Sequence, residues 1–152
     1  MSEPTTAPTG TEPGHPTAFE PPVPRPAVPE LPAFRRSRVR LGGMLVVMGI
    51  LHFAVPGPFI KIVPRFLGNR RFWVYASGVA ELTAGGLVLS SRPDVRRLGG
   101  WLAAATIVAV YPANIQMAVD AGAPISVPAA AAWLRLPLQA PLVAWALRVA
   151  RR

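Results

Sequence analysis

Four apolar segments constrain this chain more than any other feature. They run roughly over residues 39–55, 72–90, 98–119 and 129–149, each 17–22 residues long. A helix rising ~1.5 Å per residue needs that length to cross a hydrocarbon core of about 30 Å. The loops between them are short, so an antiparallel four-transmembrane-helix bundle is the economical arrangement. The expected fold is all-α and membrane-embedded. Composition agrees: 51% of the 152 residues are hydrophobic and only 15% charged, where soluble domains carry about 25% charged residues.

Ahead of the first segment lies a stretch of different chemistry. Residues 1–33 hold ten of the nineteen prolines, mixed with Thr, Glu and Gly and without apolar periodicity. Such a segment buries too little surface to offset the entropy of ordering, so a disordered Pro-rich tail is expected. It lacks the basic start and apolar core of a signal peptide. The domain reading is a cytoplasmic tail over 1–37 and a four-helix transmembrane domain over 38–152.

The net charge of +9 comes almost entirely from arginine, with Lys61 the one lysine. The arginines sit beside apolar runs and not along one polar helix face, which argues for membrane orientation and against a nucleic-acid partner. Arg35, Arg36, Arg38 and Arg40 precede the first segment, Arg92, Arg96 and Arg97 follow the second, and Arg148, Arg151 and Arg152 close the chain. The opposite side carries Lys61, Arg65, Arg70 and Arg71. This bias places both termini in the cytoplasm. The connection PGPFIKIVPRFLGNRRFW is too short to span and too apolar for water, and is read as an interfacial segment. Trp73, Tyr75, Trp101, Trp133 and Trp145 lie near helix ends, as interfacial or packing aromatics do. Ala76, Ala80 and Ala84, with Gly99 and Ala103, recur at fourth positions and suggest close helix contacts. Cysteine is absent, and no metal-ligand spacing occurs.

Each segment also contains polar residues that lipid would not tolerate unpartnered: His52 in the first, Ser77 and Glu81 in the second, Asn114 and Gln116 in the third, Arg135 and Gln139 in the fourth. Charges at membrane depth turn inward and find partners. Counting residues puts Glu81 near the midplane and Arg135 about six residues, or ~9 Å, into the fourth helix. Gln139 lies one turn deeper on the face of Arg135. His52, Glu81, Asn114, Arg135 and Gln139 therefore form the candidate ligand-binding pocket, with Arg135 the expected partner of Glu81. Pro112, Pro137 and Pro141 should bend their helices and open space beside these groups. A purely structural ion pair and a ligand or proton site both fit this pattern. No catalytic residue is assigned.

The stretches GILHFAVPGPFIKIVP, VYASGVAELTAGGLVL, VYPANIQMA and WLRLPLQAPLVAWA resemble the DoxX-like family of small bacterial membrane proteins. The resemblance covers about residues 40–147. His52, Pro64, Glu81, Pro112, Asn114, Arg135, Pro137 and Gln139 match the family's recurring polar and proline positions. It implies a four-helix protein of the bacterial inner membrane. It also implies a quinone as the candidate cofactor and subunits of redox enzymes as candidate partners, since some relatives associate with quinone-linked oxidoreductases. A scaffold without ligand chemistry and a small proton-coupled transporter, working as an oligomer, are the other readings.

Overall fold

The structure, a computed structural model, describes residues 30–152. The expected tail disorder over residues 1–29 lies outside the described residues. Everything described is helix or connection, with no strand among the described residues. The helices are α1 (Pro32–Ala54), α2 (Pro56–Ile62), α3 (Arg70–Leu89), α4 (Pro93–Ala109), α5 (Tyr111–Ala121) and α6 (Val127–Ala150).

Local chemistry sets these boundaries. Proline occupies the first turn of α1, α2, α4, α5 and α6, where its fixed φ suits a helix and its missing N–H would have had no partner. Asn69 starts α3 by accepting the Phe72 amide at 3.2 Å, and Ser126 starts α6 by accepting that of Ala129 at 3.4 Å, satisfying orphan donors of the first turn. Gly68 and Gly122 take φ of 72° and 73° ahead of these caps, a conformation costly for any residue with a Cβ.

Two boundaries differ from expectation. α1 begins at Pro32, so residues 32–37 belong to the helix and not to the tail. The third apolar segment is two helices: α4 ends at Ala109 and α5 begins at Tyr111. Pro112 does not kink a continuous helix but sits in the first turn of a new one. Without an N–H it cannot bond back to Val108, and the next amides, Ala113 and Asn114, both turn to the Val110 carbonyl at 3.1 and 3.2 Å. Pro137 and Pro141 do lie inside α6.

Among the described residues, three stretches are long and apolar enough to cross a membrane, Pro32–Ala54, Arg70–Leu89 and Pro93–Ala121, and the fourth expected span, within α6, is not one of them. Their packing uses glycine at the tightest approaches. A Cβ on Gly49 would lie 2.9 Å from the Gly78 carbonyl oxygen, and one on Gly85 2.8 Å from that of Gly42. Glycine repeating every seven residues on both helices thus forms one seam between α1 and α3. Gly99 similarly brings α4 onto α3 at Val88, and Gly100 brings it onto α6 at Ala150. Leu41, Leu45, Val88, Ala103, Ala146 and Val149 fill the core beside these contacts. Val47, Ile50, Val79, Leu98, Val108, Leu134 and Leu138 remain exposed. A soluble monomer rarely leaves so much apolar surface bare, and a hydrocarbon surround removes that penalty.

Candidate functional site

The seam between α1 and α3 positions the most unusual pair of side chains. His52 falls in the last turn of α1 and Glu81 in the middle of α3, and both are buried. Gly78, one turn before Glu81, is what lets them meet: a Cβ there would lie 2.9 Å from His52 Cβ and 2.8 Å from Phe53 Cε2. With only hydrogen at that position, α1 and α3 come close enough for the imidazole to reach Glu81. His52 Nδ1 comes within 3.1 Å of Glu81 Oε2 and within 2.7 Å of the Met48 carbonyl oxygen. α2 folds back over the pair, stacking the Phe59 ring on the imidazole at 4.1 Å and 24°.

The tautomer follows from this geometry. A carbonyl oxygen at 2.7 Å only accepts, so Nδ1 carries the proton and donates it to Met48. That leaves Glu81 Oε2 close to the ring but without a hydrogen-bond donor, although Glu81 is only 8% exposed. Burying a carboxylate in this way is costly. The pair avoids a net charge either as imidazolium with carboxylate or as imidazole with carboxylic acid. In the first form Nε2 is a donor, and in the second an acceptor.

The other expected pocket residues divide. Gln139 is buried and its Nε2 donates to the Ile107 carbonyl, one of the last-turn acceptors of α4 left open by the break before Pro112. Its Oε1 is buried without a donor. It lines a cleft of ≈ 220 Å³ with Ile107, Val108, Tyr111, Leu136 and Val143. Asn114 is half-buried and makes no side-chain hydrogen bond to the pair. Arg135 corrects the sequence expectation: it is exposed, its nearest polar contact is Met117 Sδ at 4.0 Å, and the partner of Glu81 is His52. The reason is azimuth. α6 packs on α4 and α5, whereas α1 is the close neighbour of α3. Depth along a helix can be counted from sequence, but the direction a side chain faces across the bundle cannot. Among the described residues, no three His, Asp or Glu side chains gather as a metal site would require.

A second polar cluster had no signal in the sequence. Arg38 is buried and grips Glu30 with both Nε and Nη2, the latter at 3.0 Å. Its Nη1 donates to the Val88 and Leu89 carbonyls at 3.3 and 3.1 Å, capping the C-terminus of α3. Arg96 Nη1 stands 4.0 Å from the same carboxylate. The hydrogen bonds from Arg38 hold the Glu30 carboxyl below its ordinary value of 4.5, overriding the opposing effect of burial. Trp145 Nε1 donates to Ser37 Oγ at 2.8 Å, and the Arg152 guanidinium lies 5.3 Å from the Phe34 ring centre. The start of α1, the end of α3, the start of α4 and the end of α6 thus meet at one arginine-rich end. Glu30 precedes the first apolar segment and resembles the tail residues around it, so nothing in its local sequence marks it.

With the geometry described, comparison with known proteins adds one match: residues 41–150 fit the family described as a domain of unknown function, DUF8561. No curated protein and no solved structure matches the chain.

Proposed function

The chain belongs to the DUF8561 family, and from that premise we propose that it is a DoxX-like integral protein of the bacterial plasma membrane. In this reading α1, α3, α4 with α5, and α6 cross the bilayer as four antiparallel helices, with both termini cytoplasmic. The protein binds a quinone head group at His52 and Glu81, as an accessory of a membrane redox complex. One observation carries this reading: a buried carboxylate whose Oε2 lacks a donor, beside an imidazole seated under a flat aromatic ring. A quinol hydroxyl supplies the missing donor to Glu81. Its ring replaces Phe59 on the imidazole, since aromatic stacking of this kind is not specific to phenylalanine. With Nδ1 held by Met48, Nε2 accepts from a quinol hydroxyl when the ring is neutral and donates to a quinone carbonyl when it is protonated.

The test is extraction of bound lipids from protein purified in mild detergent, with quinones quantified by mass spectrometry. Wild type should retain quinone or quinol, and His52→Ala and Glu81→Gln should lose it while remaining folded. Wild-type protein free of quinone, or variants that retain it, would refute the reading. A second reading has its own observation: Phe59 covers His52, and the imidazole donates to its own helix. The pair then simply holds α1 against α3, and the same variants lose stability but no ligand.

A further inference from the structure

α4 and α6 enclose a second cleft, of ≈ 490 Å³, whose walls are apolar. Trp101, Ala104, Ala105 and Val108 form one wall and Val143 and Leu147 the other. The Gly100–Ala150 contact draws the two helices together beside it, and the small side chains of Ala104 and Ala105 leave the wall hollow. The cleft is open to the surroundings, with Trp101 54% exposed.

What stands at the mouth of this groove is basic. Residues four apart share a helix face. Arg97 lies one turn before Trp101, and Arg151 one turn after Leu147, its amide bonded to the Leu147 carbonyl at 3.1 Å. Both arginines are exposed. The same end carries ten arginines against two acids among the described residues, Glu30 and Asp94. Glu30 is already held by Arg38. Asp94, in the first turn of α4, is the one acid left to balance the exposed charge.

We propose that this groove binds an anionic phospholipid, with an acyl chain along Trp101, Ala105 and Leu147 and the phosphate between Arg97 and Arg151. Charge complementarity selects the occupant. An apolar trench would accept any acyl chain, but an end with two exposed arginines one turn beyond the groove residues and little counter-charge favours a headgroup with net negative charge. The inference goes beyond the quinone site and needs only that α4 and α6 both lie in the bilayer.

The test uses full-length protein in vesicles with brominated acyl chains, carried either by phosphatidylglycerol or by phosphatidylcholine. Quenching of Trp101 is isolated by subtracting the signal of Trp101→Phe. Wild type should bind the brominated phosphatidylglycerol in preference to the brominated phosphatidylcholine. Replacing Arg97 or Arg151 by Gln should reduce that preference by about fivefold each, the effect of one basic residue near an anionic surface. Lysine at both positions should retain most of it. Because the readout is a ratio between lipids on folded protein, a modest loss of stability does not obscure it. Equal quenching by both lipids, or a preference that survives both Gln replacements, would overturn the proposal. So would efficient disulfide cross-linking between copies through Ala105→Cys, which would mean that a second copy covers the groove. If α4 and α6 were not in the bilayer, neither brominated lipid would quench Trp101, which separates that failure from a wrong choice of lipid.

Discussion

His52 and Glu81 should contribute unequally to stability, and the structure says in which direction. His52→Ala removes a ring stacked on Phe59, worth about 0.5–1.5 kcal/mol beyond its buried area. It also removes the imidazole with which the buried Glu81 carboxyl avoids a net charge, a cost of about 1–3 kcal/mol for an uncompensated polar group. A loss of about 3 kcal/mol is expected. Glu81→Gln keeps the side chain's shape and leaves the bond from Nδ1 to Met48 intact, so the imidazole keeps its hydrogen-bond partner. Its loss should be about 1 kcal/mol, the centre of the range for single substitutions. The double variant should lose less than the two single losses combined, because groups in contact couple. Arg135→Gln should show no such coupling to Glu81→Gln. The assay is reversible unfolding in mixed micelles followed by tryptophan fluorescence. Glu81→Gln as costly as His52→Ala, strict additivity, or coupling to Arg135 would refute the assigned pair.

Gly49→Val should destabilise by about 1–3 kcal/mol in the same assay, the usual cost of overpacking. Its Cβ would lie 2.7 Å from Leu82 Cγ and 3.0 Å from the Leu82 amide nitrogen, so wild-type stability would disprove the glycine seam. Glu30 has a lowered carboxyl value in the fold, so its contribution is fully present above its ordinary 4.5 and disappears as pH falls through the folded value. Unfolding measured across the acid range should show less pH dependence for Glu30→Gln than for wild type, and identical profiles would mean that the Arg38 contact adds nothing. Single cysteines, clean because the chain has none, report topology. Those at Ser37, Ser91 and Arg151 should resist an impermeant thiol reagent in intact cells and those at Asn69 and Ala123 should react, with the reverse pattern refuting the orientation.

Membrane character and candidate polar positions were legible in the chain alone, because each depends on local chemistry. Apolar run length sets which stretches can span. Proline in the first turn, and the caps Asn69 and Ser126, carry a local signal for where helices begin that the apolar run lengths alone did not use, so α1 starts earlier than those runs suggest. His52, Glu81 and Gln139 stand out as polar groups in apolar runs, and all three are buried. The Pro112 break was half legible: the proline signals a disruption, but whether a helix bends or restarts depends on which acceptors the following amides can reach.

Tertiary structure decided what no local signal carries, namely which faces meet. The sequence placed Glu81 and Arg135 at compatible depths, yet the glycine seam turns Glu81 toward α1 and leaves Arg135 exposed. The small-residue pattern pointed to alanines at fourth positions and to Gly99, which does bring α4 onto α3, but it missed Gly42, Gly49, Gly78 and Gly85, whose seven-residue spacing makes the seam between α1 and α3. Glu30 acquired a role only because folding brings the ends of α1, α3 and α4 together around Arg38. Propensity, length and hydropathy are properties of a segment and can be read along it. Pairing depends on the rotation of each helix about its own axis, and only the simultaneous packing of all the helices determines that.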